Sequence, residues 1–299
     1  MNTKKTLQTL ASEWHISIHQ LMTHYAMERF LYRLSKSKYA NQFYLKGGML
    51  LMGLGAPPAR TTMDIDLLGC LNHSPEHMEK VFRDILHTKP GINDDVIFSD
   101  NLEVSVIMPQ AIYTGVRIET QARVAGTTCE LSIDVGFSDE IYPKHLILDY
   151  PSTIRELPQA TLNCYPTESI IAEKWQTIVQ LGSFNSRMKD FYDLWFLSHS
   201  YTHNLLTLKE AILRTFARRK TSITDYQTLT DTEYCNRMQG RWAGYIRKLK
   251  AGTYHKKPPV DLPSREFSEV IHEILSWLLP VLEQNEPAQW LPGKGWIKS

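Results

Sequence analysis

Two carboxylates one residue apart lie within an apolar stretch of this chain. Asp64 and Asp66 occur in "MDIDLLGCL", whose composition predicts a β-strand. Side chains at i and i+2 face the same side of a strand, so both carboxylates are expected on one face while Ile65 points into the core. Two ionised carboxylates on one face repel each other, and a divalent cation such as Mg²⁺ removes that cost. The alternative is a surface strand with two solvated acids, because Asp-x-Asp alone is an unspecific pattern.

Three further features favour a functional site over two solvated acids. Gly47 and Gly48 follow the predicted strand "FYLK" and begin a predicted helix, where backbone N–H groups can approach an anion. Asp134 lies in "ELSIDVGF", a second apolar strand that would bring a third carboxylate to Asp64 and Asp66 if the two strands were adjacent. Side chains able to hydrogen-bond phosphate stand just before the acids, at Arg60, Thr61 and Thr62.

A glycine pair, Asp-x-Asp and a later strand Asp, in this order, resemble the pattern of the polymerase-β-like nucleotidyltransferases. Together, "YLKGGMLL…ARTTMDIDLL", "CELSIDVGF", "IIAEKWQTIVQLG" and "NSRMKDFYDLW" resemble the AbiEii/AbiGii toxin family over about residues 25–197. The resemblance implies a nucleotidyltransferase with an NTP substrate and Mg²⁺ or Mn²⁺ as cofactor. It also implies a toxin of type IV toxin–antitoxin and phage-defence systems, with a cognate antitoxin as partner. Some related toxins add pyrimidine nucleotides to the tRNA 3′ end, so tRNA is the expected acceptor.

The same resemblance assigns roles to individual residues. Asp64 and Asp66 match the metal-binding acids of the family, and Asp134 matches the acid that activates the attacking hydroxyl. Lys174 falls on a helix lysine similar to one that contacts nucleotide phosphate, and Asp193 falls on a later site acid.

Alternatives and one departure remain for these residues. The family often has Ser or Thr directly after the glycine pair, but here Met49 follows, so backbone N–H groups or the polar residues before Asp64 would have to hold the phosphate instead. Lys174 lies in an otherwise apolar helix and could snorkel to water. Asp190 and Asp193, at i and i+3 on one helix face, could form a plain surface salt-bridge network.

The elements around these residues first alternate between helices and strands and then become strand-rich. Helices are predicted over His15–Ser37 and Pro75–Leu86 and between Gly47 and the Gly53/Gly55 pair. The strand-rich segments are "VIFSD", "LEVSVIM", "GVRIETQARV" and "TCELSIDVGF". The expected fold class is α/β (α+β), with a mixed sheet and helices in a nucleotidyltransferase domain over residues 1–160.

Long helical patterns begin after the proline-rich segment "YPSTIRELPQATLNCYPTE". They predict helices over Thr167–Leu181 and about residues 187–198, the second with Ser186 as its cap, and a later helix capped by Ser264. We therefore expect a helical domain over residues 161–299 that completes the active-site cleft. The tail after Pro287 is expected to be loosely held.

Positive charge is concentrated in one part of the chain. The protein has a net charge of +1, but residues 214–257 hold 11 Lys and Arg against 3 Asp and Glu, a net charge of +8. Cations there alternate with Phe216, Trp242, Tyr245 and Tyr254, a composition that can hold an RNA backbone and stack unpaired bases. The alternatives are a basic surface over core aromatics, or a docking site for an acidic antitoxin. The candidate RNA-binding residues are Arg218, Arg219, Arg241, Arg247 and Lys248.

Several classes of protein are disfavoured by the sequence. The four cysteines form no Cys-x-x-Cys pair, and His73 and His77 lack an evident third ligand, so neither zinc nor a disulfide framework is expected. A polar N-terminus and the lack of any run near about 18 apolar residues indicate a cytoplasmic protein without a signal peptide or membrane span. Two other functions stay open: nucleotide transfer to a small molecule or protein, and a catalytically silent nucleotide-binding module that contacts its antitoxin.

Overall fold

The computed structural model describes residues 2–57, 62–107, 115–137, 139–251 and 262–298. The described residues fall into two compact units. Unit 1 holds those within 1–139 and 145–165, and unit 2 holds those within 140–144, 166–251 and 262–298. Three residues with a predicted role, Arg60, Thr61 and Tyr254, lie outside the described residues.

A mixed sheet forms the centre of unit 1. Within the described residues its eight strands are β1 (Phe43–Lys46), β2 (Asp64–Gly69), β3 (Val96–Phe98), β4 (Glu103–Ile107), β5 (Gly115–Val124), β6 (Thr127–Gly136), β7 (Leu146–Tyr150) and β8 (Ala160–Cys164). The strand order is β3-β5-β6-β2-β1-β8-β7, and β4 also pairs with β5. Central β2 is antiparallel to β1 and parallel to β6. The carboxyl end of β1 and the acidic start of the antiparallel β2 therefore lie side by side at the same end of the central strands.

Helices pack on this sheet through apolar faces. They are α1 (Thr3–Trp14), α2 (Ile18–Lys36), α3 (Gly47–Gly53) and α4 (Pro75–Leu86). Ser17 begins α2 with a capping box, and Ser74 caps α4 ahead of Pro75 at its first position. Phe82 of α4 stacks on Phe30 of α2 at 5.9 Å between ring centroids and meets Phe43 of β1 edge-on at 5.7 Å. These buried rings fix α2 and α4 against β1.

Unit 2 is mainly helical. Its described helices are α5 (Thr167–Leu181), α6 (Met188–Ser200), α7 (Leu205–Arg218), α8 (Thr232–Ala251) and α9 (Phe267–Glu283). A small antiparallel sheet joins β9 (His203–Asn204), β10 (Ala288–Leu291) and β11 (Gly295–Lys298). The predicted fold class, a mixed sheet with helices followed by a helical region, is confirmed. No helix in the described ranges is both long enough and apolar enough to cross a membrane.

Three local predictions are wrong. Arg187, not Ser186, is the N-cap of α6, and Glu266, not Ser264, is the N-cap of α9. Ser264 lies outside the helix, where its hydroxyl accepts a hydrogen bond from the Glu266 N–H at 3.1 Å. The tail after Pro287 is not loose, because it pairs as the β10–β11 hairpin and its Trp296 indole donates to the Trp277 carbonyl at 2.9 Å. Tryptophan rings anchor this hairpin. The prediction failed because this segment has no helical period in its sequence.

Candidate active site

Gly47 allows the Asp66 carboxylate to approach the backbone. Lys46 at the end of β1 pairs in register with Asp66 on β2, so the chain turns into α3 directly beside this carboxylate. Gly47 has a φ of +65°, and a Cβ atom placed there would lie 1.9 Å from Oδ2 of Asp66. The Gly48 N–H lies close enough to the same carboxylate to lower its pKa. Glycine is therefore required at position 47 by both backbone conformation and space.

The three predicted site acids of unit 1 lie on adjacent strands. Asp66 and Asp134 are register partners in the parallel pair β2–β6, and Asp64 precedes Asp66 on the same face of β2. Ile65 between them is fully buried, as predicted. The expected adjacency of the two acidic strands is confirmed by this register.

The electrostatic environment of Asp66 is unfavourable to its charge. Burial raises the pKa of Asp66, and the neighbouring Asp64 and Asp134 carboxylates raise it further, while the Lys46 ammonium and the Gly48 N–H lower it. Asp64 itself accepts a hydrogen bond from the Thr62 hydroxyl at 2.5 Å. Thr62, predicted as a nucleotide-binding residue, here orients an acid of the predicted metal pair.

Asp134 is held by Arg117, which sequence reasoning missed. The guanidinium donates two hydrogen bonds of 2.7 Å to the two carboxylate oxygens of Asp134, and this pairing raises the pKa of Arg117. The signal was present in the sequence. Ala125 and Gly126 form a two-residue hairpin turn between β5 and β6, and counting back from that turn places Arg117 opposite Asp134.

Lys46 is a second charged residue that sequence reasoning missed. Its ammonium lies 2.5 Å from the Asp139 carboxylate and 4.9 Å from the centre of the Tyr165 ring. The side chain is 18% exposed, so the ion pair is mostly shielded from water. Lys46 thus adds positive charge on the Asp66 side of the Gly47 turn.

The donor chemistry at β2 fits a divalent cation held by two carboxylates. Asp64 and Asp66 share a strand face and repel each other, and Mg²⁺ prefers one or two carboxylates together with water and phosphate oxygens. In the part of the chain that the structure describes, no group of three or more His, Cys, Asp or Glu side chains is arranged to hold a metal. Asp134 is paired with Arg117 instead.

The predicted residues of unit 2 form a buried charge cluster. The Lys174 ammonium on α5 lies 3.0 Å from Oδ1 of Asp190 and 2.6 Å from Oδ2 of Asp193, both on α6. The Asp193 side chain is 1% exposed and the Lys174 side chain 14%. Arg187 adds a contact of 2.9 Å to Asp190. Two alternatives were predicted from the sequence: a Lys174 side chain that snorkels to water, and a salt-bridge network on the surface. Both are wrong, because Lys174, Asp190 and Asp193 pair with one another and are mostly buried.

The basic window divides into exposed cations and structural residues. Arg219 donates to Oε1 of Gln176 at 2.8 Å and lies 3.4 Å from Glu173, so it ties the end of α7 to α5. Phe216 and Trp242 are buried, and base stacking by these two rings is therefore excluded. The exposed members of the predicted RNA-binding set are Arg218, Arg241, Arg247 and Lys248.

Fold and site together define a mixed α/β protein with paired strand acids beside a glycine turn. Residues 29–270 match the sequence model of a protein family, the nucleotidyl transferase AbiEii toxins of type IV toxin–antitoxin systems. The chain belongs to this family, and it is a nucleotidyltransferase toxin of a type IV toxin–antitoxin system. Membership implies NTP as substrate, use of a divalent metal and an antitoxin partner.

Two solved structures from Helicobacter pylori are similar to this chain. One, described as a candidate nucleotidyltransferase, has a TM-score of 0.47 and 13% identity over 90% of this chain and 98% of its own. The other, JHP933, has a TM-score of 0.46 and 13% identity over 89% of this chain and 94% of its own. No curated protein matches the chain.

Proposed function

We propose that the protein transfers NMP from an NTP to the 3′ end of an RNA, with a tRNA acceptor stem as the expected acceptor and pyrophosphate as the leaving group. The reaction is Mg²⁺-dependent and of the EC 2.7.7 type. The observation that carries the proposal is the packing of Asp66 against the Gly47 turn, with Asp64 beside it on the same strand face. This arrangement sets carboxylates next to backbone N–H groups, the two kinds of group that hold a metal–triphosphate.

Residues of unit 1 have distinct roles in this proposal. Asp64 and Asp66 would hold Mg²⁺, which neutralises triphosphate charge and favours attack at phosphorus when bound. The backbone of Gly47 and Gly48 would contact the phosphates. Polar side chains before β2 would assist there, namely Arg60, Thr61 and Thr62.

Asp134 would accept the proton of the RNA 3′-hydroxyl. The hydroxyl oxygen then forms a bond to the α-phosphorus, the bond from that phosphorus to the bridging oxygen of the β-phosphate breaks, and pyrophosphate leaves. Arg117 fixes both oxygens of Asp134, which gives the carboxylate a defined position for this proton transfer. Catalysis would rest on positioning and on charge neutralisation.

Unit 2 would contribute phosphate and RNA contacts. Lys174 would contact nucleotide phosphate, and its position is fixed by Asp190 and Asp193. The exposed cations Arg218, Arg241, Arg247 and Lys248 would hold the RNA backbone, while Arg219 supports α7. Such a reaction belongs in the cytoplasm, where NTPs and tRNA are present. It would also act in phage defence, with a protein antitoxin as its regulator.

The test is to incubate the protein with each α-labelled NTP, Mg²⁺ and total cellular RNA. Wild type is expected to label RNA with at least one NTP, whereas Asp64→Ala and Asp66→Ala abolish labelling while both proteins still unfold cooperatively. Label that enters a small molecule or a protein instead of RNA would assign a different acceptor. If no NTP labels anything, the protein is a silent nucleotide-binding module. Transfer at wild-type rate by either variant would exclude the proposed metal pair.

A further inference from the structure

Phe184 is an aromatic side chain that the protein holds in water. It is 90% exposed and lies in the 3₁₀ turn Gly182–Phe184 between α5 and α6. Apolar rings usually gain stability by burial, and this ring gains almost none. Its exposure therefore contributes little to the stability of unit 2.

The turn that carries Phe184 is held by backbone contacts on both sides. Gly182 has a φ of +50°, and a Cβ atom at this position would lie 2.9 Å from Oγ1 of Thr228. Asn185 is fully buried, donates its N–H to the Gly182 carbonyl at 3.0 Å and accepts from the Tyr234 hydroxyl at 3.0 Å. The backbone on both sides of Phe184 is thus fixed by contacts that do not involve the phenyl ring.

Two exposed arginines flank this turn. Arg237 near the start of α8 donates to the Ser183 carbonyl, and Arg187 follows the turn with its side chain 63% exposed. Arg237, Arg241 and Lys248 share one face of α8, because their spacing of 4 and 7 residues is close to whole helical turns. All three are exposed, and they extend over about 16 Å from the turn along the helix.

Two glycines beside these cations leave the helix surface uncovered. A Cβ atom placed at Gly240 or Gly244, on the same side of α8, would meet no atom within 4 Å. After Glu233, α8 carries no acidic residue. An extended polyanion can therefore lie along this face from the aromatic turn onward without meeting a like charge on the helix.

We propose that Phe184 is a stacking platform for an unpaired base of the acceptor RNA, and that Arg237, Arg241 and Lys248 hold the adjoining phosphates. This inference rests on the proposed RNA acceptor and specifies how its single-stranded end is bound. An exposed aromatic ring next to a line of cations is the combination that binds single strands, since any base offers a π-face to stack on. A hydrophobic protein partner would use Phe184 for its apolar surface alone, and this difference can be measured.

The experiment compares two RNA probes without NTP: a hairpin with a four-nucleotide unpaired 3′ end, and the same hairpin with a blunt end. Phe184→Leu keeps an apolar side chain but removes the π-face, so its affinity for the unpaired end is expected to fall by roughly 5- to 150-fold. Affinity for the blunt hairpin is expected to stay unchanged. Phe184→Trp is expected to keep the affinity of wild type for the unpaired end. The salt dependence of binding is expected to be the same for wild type, Phe184→Leu and Phe184→Trp. Leu213→Ala removes a different exposed apolar side chain, 42% exposed on α7, and serves as the matched control.

The cations are tested separately with Arg237→Gln, Arg241→Gln and Lys248→Gln combined. This variant is expected to weaken binding of both hairpins and to reduce the salt slope by about one unit for each phosphate that is no longer neutralised. The stacking assignment is overturned if Phe184→Leu binds the unpaired end as tightly as wild type does, or if it binds both hairpins equally more weakly. Neither result would contradict the proposed nucleotide transfer to RNA. Failure of the wild-type protein to bind either probe overturns the RNA acceptor itself, and this inference with it. Unchanged thermal unfolding of the variants excludes a folding defect.

Discussion

At the scale of single residues, Gly47 offers the sharpest test of the candidate site. Gly47→Ala is expected to abolish nucleotide transfer, because the added methyl group would displace the Asp66 carboxylate. Gly55→Ala is the matched control, since Gly55 also has a positive φ, +97°, but open space around it. Both variants are expected to lose about 1–2 kcal/mol from backbone strain, and only Gly47→Ala an additional 1–3 kcal/mol from overpacking. Equal transfer rates and equal unfolding free energies for the two variants would contradict this role of Gly47.

Lys174 can be separated into its structural and chemical contributions. Lys174→Met keeps the apolar stem but leaves Asp193 and Asp190 short of a buried cation, so about 3–5 kcal/mol of stability is expected to be lost. Adding Asp193→Asn removes one carboxylate charge and should recover part of this loss. Nucleotide transfer should stay absent in the double variant if Lys174 contacts phosphate, and Asp193→Asn alone is the control that shows how much of the loss comes from Asp193. The measurements are chemical unfolding and NTP labelling, and recovery of both together would make Lys174 purely structural.

At the scale of elements, the contact between α5 and α7 depends on Arg219 and not on the neighbouring Arg218. Arg219→Ala removes the donor to Oε1 of fully buried Gln176 and the pairing with Glu173, so a loss of about 1–3 kcal/mol is expected. Arg218→Ala, at an exposed position, should change stability by less than about 0.5 kcal/mol. RNA affinity should fall for Arg218→Ala at unchanged stability. The pair is measured by unfolding in denaturant and by RNA binding, and identical unfolding curves would refute the assignment of Arg219.

At the scale of the whole molecule, a buried histidine predicts acid sensitivity. Burial lowers the pKa of His203 from 6.5 to about 4, and the hydrogen bond with the Leu197 carbonyl opposes this only in part. Below pH 6.5 the unfolded chain takes up a proton that the folded protein excludes, so stability falls as the pH decreases toward 4, by up to roughly 3 kcal/mol. This loss is absent above pH 6.5.

His203→Gln should remove part of that pH dependence, because glutamine can donate to Leu197 without titrating. The rest should remain, because burial also lowers the pKa of His24 to about 4. Exposed His19→Gln is the control and should leave the curve unchanged. Unfolding can be followed by tryptophan fluorescence, since the His203 ring lies 5.3 Å from the Trp277 ring. Equal loss of stability between pH 6.5 and 4 in wild type and His203→Gln would show that other groups cause the acid sensitivity.

Much of the fold was accessible from sequence because its signals are local. The predicted helices over Thr167–Leu181 and Pro75–Leu86 and the strand "GVRIETQARV" agree residue for residue with α5, α4 and β5. Apolar period and flanking Gly and Pro decide such elements. The short strands β7 and β8 were missed, because prolines and turn residues around them outweigh a five-residue β signal.

The sequence by itself determined the family, the fold class and the order of the acidic motifs, since these depend on residue types and on spacing along the chain. Only the tertiary structure decided which charges meet. Pairing of β1 with β2 brought Lys46 toward Asp66, and helix packing placed Lys174 between Asp190 and Asp193. The pair of Arg117 and Asp134 is the exception, because its register follows from the local hairpin turn. The tertiary structure also buried Trp242 and exposed Phe184, an outcome that composition could not distinguish. Pairing and burial depend on contacts between residues far apart in the chain, and no local pattern encodes those distances.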